Sequence, residues 1–420
     1  MKRNILLVPL LIFMLLFTGC WDYMEYDQMT QIYSVGIDLD EKTNKLVMTL
    51  QFIPTTKSSA EKPGGGDNKG TVYSASDFTM MDTATKLQQA SPNKLFFGYT
   101  QVLVIGENAA KYAMKDIIEY FERTPGIRNS VNVIVVPGRA EGVIATRDPN
   151  SPTSSGKKMR SLLSSYQSNG TVYSVTLHDF LKMTSREGSE AVAPKIITTS
   201  HTNGRGSSSG SQNDVRFSIE NQGNLMANGM AAFKNGKFVG WLDDKETMGL
   251  NWILGNKITA YKTSNIVDPK LKDDTDKSLS YKDANKMLHF YITRSGSKVK
   301  VKLQKGKPVI YVNIKVEAAL RKYYSDKGDE YISPDIVNLL EEKLEKSVYS
   351  DAEAALKKGK DDLDSDIFCF GFDLYRQHPK EWHKYYEKTW RKMFHSVPVK
   401  VNVKAKINNT GTNMRKFYIK

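Results

Sequence analysis

The stretch VPVKVNVKAKI, from Val397 to Ile407, alternates apolar and polar residues almost without a break. Successive side chains of a strand point to opposite faces, so one face must be buried. The other face, carrying Lys400, Asn402, Lys404 and Lys406, must be wet. Working backward, Ile310, Val312, Ile314, Val316 and Ala318 repeat the pattern against Tyr311, Asn313, Lys315 and Glu317. Residues 288–292 and 298–303 read as two further strands. Ser333, Pro334 and Asp335 begin a long helix, with a capping hydroxyl, a proline at the first helical position and an acid in the first turn. Glu342 and Lys346, four residues apart, support that helix. Shorter helices are predicted over 366–376 and 380–394. On the latter, Trp382, Tyr386, Trp390 and Met393 recur at helical spacing, a stripe expected to pack on the lysine-backed strand. Residues 286–420 are therefore predicted to form an α+β domain.

Further toward the N-terminus, residues 32–40, 46–53, 101–106 and 131–136 read as strands. Helices are predicted over 77–89, capped by Ser76 or Asp77, and over 109–122, with Tyr112, Ile117 or Ile118, and Phe121 near one stripe. Two more are predicted at 157–165 and 177–184. Residues 57–70 form a glycine-rich charged loop, and SHTNGRGSSSGSQN at 200–213 has linker composition. Strands at 215–220, 225–233 and 236–242 follow, with an Asn-Gly turn at 235–236. A helix starting near Asp243 carries Met248, Trp252 and Ile253, and 262–286 is polar. The expected division is a mixed α/β domain at 20–200, a linker at 201–214, a small central domain at 215–285 and the C-terminal domain.

The first residues decide the compartment. Lys2 and Arg3 precede an apolar run from Ile5 to Phe17, broken by Pro9. The proportions are those of a signal peptide over 1–19, and the run falls short of the about 20 residues a spanning helix needs. It ends Leu16-Phe17-Thr18-Gly19-Cys20, small residues before a cysteine, as in a bacterial lipobox. Cleavage between Gly19 and Cys20 is expected, with diacylglyceryl and N-acyl groups on Cys20. Two acyl chains on the thioether make a stable anchor where one is marginal. The site is the outer face of the cytoplasmic membrane.

With Cys20 carrying lipid, Cys369, the second of two cysteines, has no intramolecular partner. It is expected to be a reduced, largely buried thiol between Phe368 and Phe370. The formal charge of +14 becomes +12 without Lys2 and Arg3. An exported protein rarely meets nucleic acid, and no nucleic-acid partner is expected. The charge suits a face near anionic lipid or acidic wall polymer, or a solvated surface of lysines scattered along the sequence.

Chemical motifs are weak. GRGSSSG at 204–210 has no strand before it and no Lys-Ser/Thr after it, unlike a phosphate loop. Ser154 and Ser155 each precede a lysine by three, without the companion elements of a penicillin-type site. His378 and His383 lie five apart, about 140° around a helix, with Pro379 between them, so zincin geometry does not follow. No catalytic set, metal site or cofactor is predicted.

Three segments carry a family resemblance. The first is Gly19-Cys20-Trp21-Asp22 with Glu25 and Val35-Gly36-Ile37-Asp38. The second is 230–249, with its Phe-Lys-Asn-Gly-Lys turn and Val239-Gly240-Trp241-Leu242. The third joins Asp366-Ile367-Phe368-Cys369-Phe370-Gly371, His378-Pro379, Trp382, Trp390 and Pro398-Val399 through Thr410-Gly411. Together they resemble the Ger(x)C lipoproteins, C subunits of spore germinant receptors. Cys369 departs from the pattern, standing where a small residue, often glycine, is expected. The resemblance implies a non-enzymatic protein of three consecutive mixed α/β domains, with mostly antiparallel or mixed sheets. It also implies lipid anchoring at the spore's inner membrane, integral-membrane A and B subunits as partners, and a role in triggering germination by nutrients. Direct contact with a nutrient is left open. The competing reading, a solute-binding lipoprotein serving a transporter, requires two similar doubly wound lobes around a cleft. An anchored hydrolase is a third.

Overall fold

A computed structural model describes residues 28–52, 71–147, 153–167, 170–199, 215–217, 221–256, 258–264, 288–322 and 334–409. The leader with Gly19 and Cys20, the 57–70 loop, the 200–213 stretch and the Ser333 cap lie outside them.

The first half is organised by strands β1 (Met29–Leu39), β2 (Leu46–Phe52), β3 (Thr71–Asp77), β4 (Lys94–Phe96), β5 (Val102–Gly106) and β6 (Asn132–Val136). The two-residue β7 (Thr146–Arg147), β8 (Val192–Thr199), β9 (Val215–Phe217), β10 (Asn221–Gln222), β11 (Asn224–Lys234) and β12 (Lys237–Leu242) follow. The main sheet has ten strands, in the order β12-β11-β8-β6-β5-β1-β2-β3-β9, with β4 beside β1. Its centre is parallel and its flanks are antiparallel. The central β5 is buried along its whole length, as expected of a continuous apolar run covered on both faces.

This topology places β9, β11 and β12, from the 215–242 stretch, on the two edges of the sheet. β9 extends one edge beside β3, while β11 and β12 complete the other beside β8. Met230, Ala231, Ala232 and Phe233 of β11 are fully buried, an apolar load that a short hairpin cannot cover alone. Among the described residues there are two principal sheets, and the fold is α+β with mixed sheets.

Local differences have local causes. The helix predicted from 77 begins at Met80, because Asp77 ends β3 and Thr79 supplies the cap by accepting from the Asp82 N–H. The predicted 109–122 helix is two, Glu107–Tyr112 and Met114–Arg123, divided at Ala113. The break turns Tyr112 outward, 71% exposed, while Ile117, Ile118 and Phe121 are buried. The Asn-Gly turn is as read, with φ of 52° at Asn235 and 71° at Gly236.

The second half is a four-stranded sheet, β13-β14-β15-β16, made from β13 (Tyr261–Ser264), β14 (Leu288–Gln304), β15 (Lys307–Lys322) and β16 (Val399–Asn409). The two strands expected at 288–303 are one long strand, paired with β15 around the Lys305-Gly306 turn. β16 runs parallel to β15. The helix Pro334–Lys357 packs against β16, burying Leu340, Leu344, Val348 and Ala352. Two of its glutamates reach the strand's outer edge. The Ala405 N–H donates to Glu345 Oε1 at 3.0 Å and the Ile407 N–H to Glu341 Oε1 at 2.8 Å. The predicted Glu342–Lys346 pair forms at 2.7 Å.

Candidate functional site

The segments that carry the family resemblance contain two buried carboxylates doing the same local job. Asp38, at the end of β1, accepts the Ala140 N–H at 2.7 Å and the Glu141 N–H at 2.9 Å. It thereby satisfies the open first turn of the helix Ala140–Ile144. Gly106 is required beside it, since a β-carbon there would stand 2.0 Å from Asp38 Oδ1. Burial pushes the Asp38 carboxyl up to about 6, against its two backbone donors and Arg139.

Asp366 repeats this at the meeting of the two halves. It is not in the helix predicted from 366, which begins at Phe370. Instead its Oδ1 accepts the Phe370 N–H at 3.1 Å, and its Oδ2 accepts the Gly371 N–H at 2.7 Å and the Trp390 indole N–H at 2.9 Å. Beside it, Glu190 from the first half accepts the Arg391 Nε–H and the Asn235 N–H, both at 2.8 Å. The Glu190 N–H donates to the Asp366 carbonyl at 3.1 Å, and Ser365 Oγ donates to the Phe233 carbonyl at 2.6 Å. Gly188 and Gly371 press together: a β-carbon on Gly371 would meet Gly188 O and Trp390 Nε1 at 2.4 Å each. Trp382, Trp390 and Phe394 close the cluster, with Trp382 and Trp390 ring centres 5.9 Å apart. The aromatic stripe is thus core, as read, but it packs on this glycine contact, while the helix Pro334–Lys357 covers β16. The pocket between Glu190, Asp364, Asp366 and Trp390 has room for about one water molecule.

Burial lifts the Asp366 carboxyl to about 7, outweighing its three donors, and Glu190 adds to the rise. In the unfolded chain Asp366 titrates near an ordinary value of about 3.9, so between there and about 7 the folded chain binds the extra proton. Its contribution to stability is present at low pH and is lost as pH rises through about 7. Asp366→Asn has no such titration. The stability gap between wild type and Asp366→Asn should narrow by about 1–3 kcal/mol from pH 5 to pH 7 in urea unfolding. A gap that widens with pH would contradict the assignment.

Cys369 caps the same helix with φ of 62°, and its Sγ lies 3.2 Å from Ser189 Oγ. It is half-buried rather than fully enclosed, and burial pushes the thiol up to about 11. The left-handed backbone explains the glycine expected here, because a β-carbon costs about 1 kcal/mol in that region. Cys369→Gly should keep or raise the melting temperature, whereas the β-branched Cys369→Val should cost about 1–3 kcal/mol. Equal melting temperatures for Cys369→Val and wild type would remove the strain argument.

A second contact joins the halves. The helix Asp244–Leu254 opens on a capping box between Asp243 and Glu246 and crosses the helix Pro334–Lys357. Gly249 permits the approach, since a β-carbon would stand 1.9 Å from Asp351 O. Asp351, buried, accepts the Trp252 indole N–H at 3.1 Å and pairs with Lys262 at 2.6 Å.

The other candidate groups are separate and structural. Ser155 Oγ donates to the Ile144 carbonyl at 2.6 Å, His378 contacts the Val301 carbonyl at 3.1 Å, and His383 pairs with Glu387 at 2.9 Å. Among the described residues no three metal-ligating side chains converge, and no helix is long and apolar enough to cross a membrane.

Two family models match the chain in order, dividing it between residues 198 and 228. The family model "Spore germination protein N-terminal domain" matches residues 22–198, and "Spore germination B3/ GerAC like, C-terminal" matches 228–411. Spore germination protein KC of Bacillus subtilis (strain 168) is 26% identical over 98% of this chain and 96% of its own length. Spore germination protein GerQC of Bacillus cereus is 21% identical over 98% and 99%. A crystal structure of the GerBC protein covers 89% of this chain and 97% of its own, at 18% identity and a TM-score of 0.49. The chain belongs to the Ger(x)C family, the C subunits of spore germinant receptors.

Proposed function

We propose that this chain is the lipid-anchored, non-enzymatic subunit of a membrane receptor complex through which nutrients trigger spore germination. Cys20 holds it to the outer face of the spore's inner membrane, and integral-membrane A and B subunits are its partners. The observation that carries the reading is the ordered match of both family models, 22–198 and 228–411, along the chain. The junction supports a transmitting role, because its buried carboxylates Asp366, Glu190 and Asp351 are engaged by backbone, indole, Arg391 and Lys262. The sheet order also disfavours two similar lobes around a cleft, which the solute-binding alternative requires.

Deleting the gene should abolish germination with one class of nutrient and leave vegetative growth and non-nutrient germination intact. Complementation with Cys20→Ala should fail and leave the precursor uncleaved and unlipidated. Normal nutrient germination in the deletion strain, with no related receptor able to compensate, removes the functional assignment. An unmodified thiol on the wild-type mature N-terminus removes the anchor.

A further inference from the structure

Lysines scattered along the sequence converge on one face of the second sheet. Register sets Lys300 beside Tyr311, and Tyr311 beside Lys400. The next rows place Lys298 beside Asn313 and Asn402, then Lys315 beside Lys404, then Glu317 beside Lys406. Lys302 extends the β14 column, and all seven lysines are exposed. With strands about 4.8 Å apart and rows about 6.7 Å apart, the patch measures about 10 by 27 Å.

Among the described residues the three strands bring one carboxylate to this face. Its carboxylate, Glu317, is engaged by Asn408 at 2.9 Å and Arg294 at 3.8 Å. Lys302 and Lys400 lie 5.1 and 5.7 Å from the Tyr311 ring centre, a contact that leaves their charge in place. Among the described residues none of the seven has a carboxylate within ion-pair distance. Like charges side by side on neighbouring strands are unfavourable, so the free sheet gains nothing from the arrangement. The chemistry of the patch also narrows its occupant. Protein–protein interfaces are depleted in lysine and enriched in arginine and aromatic anchors. Flexible, compact ammonium charges on a strand surface suit headgroups that move laterally to meet them.

We propose that this face of the C-terminal sheet lies on the anionic phospholipid headgroups of the bilayer. The proposal rests on the anchored reading only for how the chain reaches that bilayer. Each lysine held near such a surface strengthens membrane attachment roughly fivefold, and the attraction fades within about 8 Å at physiological salt. The face must therefore be close to the headgroups.

The test uses the protein purified from host membranes and placed with vesicles of phosphatidylglycerol and phosphatidylcholine, or of phosphatidylcholine alone. A water-soluble acylating reagent then labels lysines, mapped by mass spectrometry. Lys300, Lys315 and Lys404 should be protected roughly fivefold or more in the anionic vesicles only, with Lys157 and Lys237 labelled equally in both. Protection should vanish near 1 M salt, where screening is complete within about 3 Å. In Lys300→Gln/Lys400→Gln/Lys404→Gln, Lys315 should lose its protection while the melting temperature holds. Equal labelling in both vesicles, protection that survives salt or the triple substitution, or protection that needs added receptor proteins would each overturn the proposal. Intact mass reports the Cys20 lipid in the same preparation. The anionic footprint is required whether or not that lipid is found, so the face and the anchor can fail separately.

Discussion

Trp390→Ala should cost about 3–5 kcal/mol of stability and lower the amount of folded subunit. The ring is almost completely buried against Trp382 and Phe394, so its loss leaves a cavity at the centre of the junction. The substitution also strips the Trp390 indole donor from Asp366 Oδ2, leaving that buried oxygen with the Gly371 N–H. Trp390→Phe separates the two effects. It keeps most of the packing and loses the N–H, for an expected cost of about 1–2 kcal/mol. Urea unfolding of the three proteins orders them wild type, Phe, Ala. Germination with an undiminished amount of Trp390→Ala protein would show that the stripe is not core.

Asp351→Ala should be about as damaging, at about 3–5 kcal/mol, because it removes one partner of a buried ion pair. Lys262 and the Trp252 indole would then lose the acceptor that both share. Replacing both charges, as Asp351→Leu with Lys262→Met, should restore most of the loss, since no buried charge is left behind. Thermal unfolding that shows Asp351→Ala within about 1 kcal/mol of wild type would place the helix crossing elsewhere.

Period-two alternation made β15 and β16 legible, and the Asp243 cap marked its helix to within a residue. β8 escaped because Pro194 sits inside it, and proline inside a run argues against a strand. The structure admits it where the β11 register shifts between Ala227 and Met230, opposite Pro194. β3 escaped because Ser74, Ala75 and Ser76 blur its pattern. Its buried Ser74 is satisfied by Thr49 at 2.9 Å, a partner on the neighbouring strand. The junction was less legible still. Asp38 and Asp366 were visible within the family segments, yet their jobs depend on amides and an indole brought in by folding. Glu190 and Arg391 are 201 residues apart, and no local pattern links them. A polar residue enclosed by an apolar motif, as in Asp366-Ile367-Phe368, was the one available signal.

The glutamates that hold the margin of β16 have a consequence for assembly. Glu341 and Glu345 sit where the carbonyls of an incoming strand would dock, and they already take the Ile407 and Ala405 amides. An extended peptide, or a second copy of the chain, finds no free template along that stretch and meets two carboxylates instead. Growth of the sheet is blocked along this stretch by side chains of the chain's own helix. Two copies that meet along this stretch face carboxylates in place of open amides, which works against zipping into fibrous aggregates.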